Sequence, residues 1–337
     1  MSENLSYKSC FFIQGGLQFN QSSVSLCYQR ACKGGGYGAI PIIDNFKGEN
    51  IDIETINEYK KQIIEDNKNN KISSICDGCV ELIDKEWGEF TGQIGVFNLD
   101  YWTYCNSNCI YCYTYNQKAH YNTQYTYSFL NVLKDLKSKN LIKPNGFVNF
   151  GGGEVALLDE FTDIIKIFEE HNYEIMVHTS AMDFIPILKK SLRNGNARIV
   201  ISVDAGSEEM HAKVKNVRTF KKVWKNISKY AKVQKRLNQV KIKYIVIPGV
   251  NDNKNEIILW LDNVLKSGVK SVCMEIESAF FETNREFIQE EIYQIFIFGK
   301  EEAEKRNLKF TLYDRASHMM SEHPEYSEKF SGLLNNQ

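Results

Sequence analysis

Cys105, Cys109 and Cys112 form a CxxxCxxC run, Cys105-Asn-Ser-Asn-Cys109-Ile-Tyr-Cys112. Thiolates this close in sequence can close on one metal centre. Zinc takes four ligands and favours CxxC pairs set far apart. Three neighbouring thiolates instead suit three irons of a [4Fe–4S] cube and leave the fourth iron open. An open iron is what a cluster needs in order to bind and reduce a substrate. A zinc knuckle, or three unrelated thiols, is the plain alternative.

More cysteines precede this run. Cys10, Cys27, Cys76 and Cys79 are four further thiolate ligands, and Cys32 is a fifth candidate. Cys76-Asp-Gly-Cys79 is a CxxC whose glycine permits the tight turn such a pair needs. An auxiliary iron–sulfur cluster, a zinc ion, or unliganded buried thiols all suit this set. The chain has nine cysteines, and its start, Met1 to Tyr7, lacks an apolar signal core. Together these predict a reducing, cytoplasmic setting with metal binding in place of disulfides. The 337 residues carry a formal net charge of −1, so the whole molecule is no general nucleic-acid binder. No apolar run approaches the length of a membrane span.

The positioning elements follow from hydrophobic period. Residues 1–92 read as a small cysteine-rich domain. It opens with a hairpin (strands Phe11–Phe19 and Val24–Tyr28, turn at Asn20) and includes a helix from Ile51 to Asp66. Lys33-Gly-Gly-Gly-Tyr-Gly38 opens no helix and reads as a loop rather than a phosphate cradle. Residues 93–315 alternate strands and amphipathic helices, which predicts parallel β/α units and a partial (β/α)6 barrel in the α/β class. The strands are Ile94–Leu99, Gly146–Phe150, Glu174–Thr179, Arg198–Asp204, Val240–Ile247 and Val269–Ile276, with Leu308–Leu312 as a seventh or an edge. Helices are predicted from Tyr125 to Leu136, Leu157 to Glu170, near Phe184, a long one from Glu208, Asn255 to Lys266, and Arg285 to Lys305. Residues 316–337 read as a polar tail.

Chemistry in β/α barrels sits at the C-terminal ends of the strands. The cysteine run follows the first strand, and Gly151-Gly-Gly-Glu154 follows the second. Ser202 and Asp204 share one face at the end of the fourth, where packing alone explains two polar groups poorly. On the sixth, Cys273, Glu275 and Glu277 alternate with Val272, Met274 and Ile276, so the polar set faces the cavity. Lys243 is a ligand or a strand-end lysine, and His178 reads as packing. The basic stretch from His211 to Lys243 contains no Asp or Glu and reads as a solvated outer face.

Across residues 93–276 these motifs resemble the radical S-adenosylmethionine (SAM) enzymes. The resemblance implies that SAM chelates the open iron of a cube held by Cys105, Cys109 and Cys112. It implies SAM contacts at Tyr111, Gly152, Gly153 and Glu154, the last three at the methionine amino group, and at Ser202 and Asp204 for the carboxylate or ribose. The N-terminal cysteines are similar to SPASM or twitch auxiliary-cluster domains, although in the SPASM family that domain follows the barrel. The implied chemistry is reductive cleavage of SAM to a 5′-deoxyadenosyl radical that takes hydrogen from a C–H bond, in an oxygen-sensitive enzyme served by flavodoxin or ferredoxin. A peptide, peptide-like or sugar-containing substrate is expected, with epimerisation or cross-linking as outcomes. An activase of a glycyl-radical enzyme and a non-enzymatic iron–sulfur or zinc module are the alternatives. Cys273 is a candidate for the hydrogen-donor role that a cysteine plays in radical SAM epimerases, with Cys32 as its rival, against the reading of a small buried thiol that fills space.

Overall fold

Alternating strands and helices dominate the computed structural model, which describes residues 6–27, 41–72, 76–77, 79, 81–112, 126–284 and 288–334. Cys32, the Lys33–Gly38 loop and Tyr28 lie outside the described residues. Two compact units emerge. One comprises Met1–Tyr104, Asn122–Gly153 and Leu158–Ile175, the other Cys105–Tyr121, Glu154–Leu157 and Met176–Gln337.

In the first unit, β1 (Ser6–Ser9) pairs antiparallel with β5 (Ile83–Glu86). The main sheet contains β2 (Gly16–Asn20), β3 (Val24–Ser25), β4 (Pro41–Ile43), β6 (Ile94–Asp100) and β7 (Ile142–Phe150). Its order is β7-β6-β2-β3-β4, and β2 runs parallel to β6 with Leu17 opposite Phe97. Helices α1 (Phe11–Gly15), α2 (Ile53–Lys68), α3 (Phe129–Ser138) and α4 (Phe161–Glu170) complete the unit. Phe19, Phe97, Phe129, Phe150 and Phe168 are fully buried. Phe19 meets Phe129 edge to face at 4.9 Å, and Phe97 meets Phe168 at 5.2 Å. Each such ring contributes about 1.5–3 kcal/mol by leaving water.

β8 (Glu174–Thr179) starts in the first unit and runs into the second. The second unit continues with α5 (Pro186–Asn194), β9 (Ala197–Ser202), α6 (Glu208–Lys215), α7 (Phe220–Ala231), β10 (Val240–Val246), α8 (Lys254–Ser267) and β11 (Ser271–Ile276). It ends with α9 (Ser278–Asn284), α10 (Glu290–Lys305), β12 (Lys309–Leu312), α11 (Asp314–Ser321) and α12 (Pro324–Leu334). Strands β9 to β12 are parallel neighbours in sequence order. Register aligns Ile201, Ile242, Val272 and Phe310 on one face, all buried. The next register row, on the opposite face, is Ser202, Lys243, Cys273 and Thr311. The apolar row can pack only on helices, so the polar row lines the interior. This is the α/β architecture of a partial barrel, with β12 as a further parallel strand.

Three local expectations are corrected. Residues 11–15 are helical, because the Cys10 sulfur accepts the Ile13 N–H as an N-cap and Phe12 and Ile13 turn inward together. The long helix from Glu208 breaks at Asn216, whose φ of 55° ends α6 before α7 begins. The stretch expected as a tail is largely helical, because Ala316, Met319, Met320, Tyr326 and Phe330 bury one side of α11 and α12.

Candidate metal and cofactor site

The cysteine loop is fastened along its length within the second unit. The N–H groups of Asn108 and Ile110 donate to the carbonyls of Lys215 (3.1 Å) and Val214 (3.0 Å) at the end of α6. The Asn106 side-chain amide donates to Asp183 Oδ2 at 2.8 Å, and Lys222 holds the other oxygen of Asp183 at 2.7 Å. The Cys112 N–H donates to the Cys109 carbonyl at 3.0 Å, closing the last turn. Ser107 Oγ lies 3.2 Å from the Cys105 sulfur and 3.5 Å from that of Cys109. Cys105 is exposed, while Cys109 and Cys112 are half-buried.

Tyr111 reaches into a buried charge pair. Its hydroxyl donates to Asp204 Oδ2 at 2.5 Å, and the Lys215 ammonium binds the same oxygen. Lys215 Nζ also lies 2.5 Å from the Tyr111 oxygen. The other Asp204 oxygen accepts the Ile245 N–H at 2.8 Å. Burial, then the Asp204 charge, push the Tyr111 phenol well above its usual value, so it stays a donor. For Lys215, burial pulls the pKa down, but Asp204, Cys109 and Cys105 outweigh it and the ammonium is held above its normal value. Asp204 itself has φ of 58°, unusual for a residue with a side chain. It is kept there because Asn251 Nδ2 donates to its carbonyl at 3.0 Å and Glu256 takes the following N–H groups of Gly206 (2.7 Å) and Ser207 (3.0 Å).

The glycine run does different work from Glu154. In the first unit, the Gly151 N–H donates to the Leu99 carbonyl at 3.0 Å and the Gly153 N–H to that of Trp102 at 2.9 Å. A Cβ on Gly153 would lie 2.3 Å from the Tyr104 carbonyl oxygen, and Gly152 has φ of +75°. Only glycine lets this turn lie against residues 100–104, which lead into the cysteines. Glu154, in the second unit, is 2% exposed. Its carboxylate accepts the Thr179 hydroxyl (2.6 Å), the Ser180 hydroxyl (2.6 Å) and the Ser180 N–H (2.8 Å).

On the interior face, Cys273 is completely buried, and burial pushes its thiol up to about 12, against the opposing pull of Lys241 and Lys243. It is therefore a protonated S–H group at neutral pH. Lys243 Nζ sits 4.8 Å from the Tyr313 ring centre, and the Tyr313 hydroxyl is 3.4 Å from His178 Nε2. Ser202 ends β9 in register with Lys243. Glu275 Oε1 accepts the N–H groups of Ala316 (2.9 Å) and Ile276 (3.0 Å), and Glu277 accepts those of Ala279 (2.9 Å) and Phe280 (2.5 Å). Both carboxylates thus bind the backbone.

The N-terminal cysteines gather within the first unit. Cys10 and Cys76 belong to one buried cluster, with Cys27 packed against it. Burial pushes Cys10 up to about 12, and Cys27 and Cys79 are close enough to add to the effect. Buried Lys60 donates to the Gly16 carbonyl at 2.9 Å. Among the described residues no three His, Cys, Asp or Glu side chains converge as a metal-holding group, at either set of cysteines. The fit to a cluster at Cys105, Cys109 and Cys112 rests on the donor set. It offers three soft thiols on one anchored loop, open at Cys105, with the Lys215 cation to balance thiolate charge.

Sequence reasoning missed Lys215, Glu256 and Asn251. The structure shows that His211, Val214 and Lys215, at i, i+3 and i+4, form the buried stripe of α6, a His-Val-Lys pattern that carries little apolar signal in the sequence.

Residues 100–261 match the Radical SAM superfamily model. No curated protein matches the chain. Among solved structures, SuiB of Streptococcus suis bound to the precursor peptide SuiA is similar at 14% identity and TM-score 0.56, over 86% of this chain and 60% of that one. SuiB bound to S-adenosylmethionine is similar at 13% identity and TM-score 0.52, over 81% of this chain and 58% of that one. This chain thus spans about 60% of the length of the SuiB chain, and the likeness is one of fold. Residues 100–261 thus form a radical SAM superfamily domain within this chain.

Proposed function

We propose that this protein cleaves S-adenosylmethionine reductively and uses the resulting radical to abstract hydrogen from a peptide or peptide-like substrate. The observation that carries this reading is the anchored loop presenting Cys105, Cys109 and Cys112, with Cys105 exposed. When bound, a [4Fe–4S] cluster with SAM supplies the one-electron cleavage that yields a 5′-deoxyadenosyl radical. The protein's own part is to hold the loop still and orient the bound groups. Glu154 fixes the Thr179–Ser180 turn after β8, and Asn251 and Glu256 fix the Asp204–Ser207 turn after β9. The backbone of these turns, with Tyr111, Gly152, Gly153 and Ser202, supplies the proposed SAM contacts, the Glu154 and Asp204 carboxylates being taken up in holding the site together.

A peptide substrate is supported by the fold likeness to SuiB, whose solved complex contains the precursor peptide SuiA. Cys10, Cys27, Cys76 and Cys79 are proposed as ligands of a second iron–sulfur cluster, because they come to one region of the first unit. Cys273 is proposed as a hydrogen-atom donor to the substrate radical, since it is a protonated thiol on the interior face of β11. A flavodoxin or ferredoxin is proposed as electron donor, and a reducing cytoplasm as the setting. Among the described residues, no helix is long and apolar enough to cross a membrane.

Anaerobic turnover with candidate peptides, followed by mass spectrometry, tests the substrate class. A SAM-dependent change in peptide mass is expected. Products formed from sugars and from no peptide would overturn it. In deuterated buffer, the Cys273→Ala variant should release 5′-deoxyadenosine yet fail to place deuterium on carbon. Normal deuterium uptake by that variant removes Cys273 from the chemistry.

A further inference from the structure

We propose that Lys215 is a positioning residue for the metal-binding loop: with Asp204 and Tyr111 it latches the loop to β9 and α6, and its ammonium raises the reduction potential of the cluster. The proposal rests on Cys105, Cys109 and Cys112 being the cluster ligands.

Lys215 grips the loop twice. Its carbonyl accepts the Asn108 N–H at 3.1 Å, and its ammonium meets the Tyr111 hydroxyl oxygen at 2.5 Å. One grip reaches the residue before Cys109, the other the residue before Cys112. The ammonium also packs 4.9 Å from the Tyr111 ring centre. Lys215 is 2% exposed and Asp204 is fully buried, so water does not screen the pair. His211, on the same helix face, is held down to about 4, first by burial and then by Lys215. It is neutral at neutral pH, and Lys215 is the cation of this face.

A buried ion pair seldom improves stability over an apolar pair of the same shape. This one stands where its charge has a use. The Lys215 ammonium meets Tyr111, the residue next to Cys112, and the Lys215 carbonyl meets Asn108, the residue next to Cys109, so the charge stands beside the thiols. Adding an electron to a thiolate-bound cluster makes it more negative, so a fixed neighbouring cation favours the reduced form. Among the described residues, the Asp204 carboxylate, which holds the cation, meets the loop through the Tyr111 hydroxyl.

The test is potentiometric titration of the anaerobically reconstituted protein, followed by electron paramagnetic resonance. The SAM-perturbed signal identifies the site-open cluster. Lys215→Met is expected to lower its midpoint by about 59 mV, a tenfold change for one electron. Lys215→Arg, which keeps the charge, should restore it. If Lys215→Met loses the cluster outright, recovery of iron in Lys215→Arg carries the same conclusion. Wild-type iron content with a wild-type midpoint in Lys215→Met overturns the proposal, and so does failure of Lys215→Arg to restore what was lost. Amide hydrogen exchange of the cluster-free protein reads the latch alone. Asn108 and Ile110 should exchange about tenfold faster in Lys215→Met, as local opening becomes easier. Unchanged exchange there refutes the latch even if the three cysteines prove not to hold a cluster. Absence of any site-open cluster in the wild type, with faster exchange in Lys215→Met, refutes the potential effect and the ligand assignment while the latch stands.

Discussion

The Tyr111 hydroxyl and the Asp204 carboxylate are 93 positions apart in sequence and share a 2.5 Å hydrogen bond. One is the aromatic residue inside the cysteine run, the other lies two residues past the end of β9. Their contact joins the cysteine loop to the end of a parallel strand, and Lys215 completes it with a charge. Every oxygen of the Asp204 carboxylate is engaged within the protein.

Asp204→Ala should therefore destabilise the fold strongly, because it strands the Lys215 charge in the interior. The expected loss is about 3–5 kcal/mol. Urea unfolding of the cluster-free protein measures it. Asp204→Ala combined with Lys215→Met should recover part of the loss. A change within experimental error for the single variant would contradict the geometry.

Glu154→Gln places an amide where two hydroxyls and a backbone N–H donate to carboxylate oxygens. At least one donor then faces a donor, at about 1.5–3 kcal/mol of stability. The turn it orders is a proposed SAM contact, so SAM binding should weaken about tenfold, or 1.4 kcal/mol. Equilibrium dialysis under anaerobic conditions measures the affinity. Unchanged affinity would confine Glu154 to a structural role.

Much of this was legible in the sequence because period and motif report on different things. The alternation in Ser271–Ile276 separated the apolar face of β11 from the face bearing Cys273, and the register with β10 and β12 bears that out. CxxxCxxC identified the family because three thiols at that spacing have few other uses. Side-chain partners at long range were not legible. Asp204 presented itself as a polar residue at a strand mouth, and nothing local indicates that Lys215 would reach it. Lys215 lies within a long basic stretch, where composition argues for solvent. Phe11 to Phe19 alternates like a strand, yet a Cys10 cap tips its first turn into helix.

His178 supplies a pH test. Burial, then the charge of Lys243, lower its pKa from 6.5 to about 3. The unfolded chain thus binds a proton in the window between those values while the folded protein does not. Stability is full above that window and falls as pH drops through it. His178→Phe should flatten the dependence of the urea midpoint on pH between about 6.5 and 4. An unchanged slope would mean that His178 is protonated in the fold.

The N-terminal thiols make a separate prediction. Protein lacking Cys105, Cys109 and Cys112 should still take up iron and show a brown chromophore after anaerobic reconstitution. Adding Cys76→Ser and Cys79→Ser should remove that iron. Stoichiometric zinc in place of iron would mark a structural metal at Cys10, Cys27, Cys76 and Cys79.

The most direct test of the central claim is the release of 5′-deoxyadenosine from SAM by reconstituted protein under strong reductant. The wild type should release it. The variant with Cys105, Cys109 and Cys112 all changed to Ala should release none while keeping its far-ultraviolet circular dichroism, because the three side chains lie on a loop and carry none of the core. Undiminished release by a folded triple variant would contradict the account.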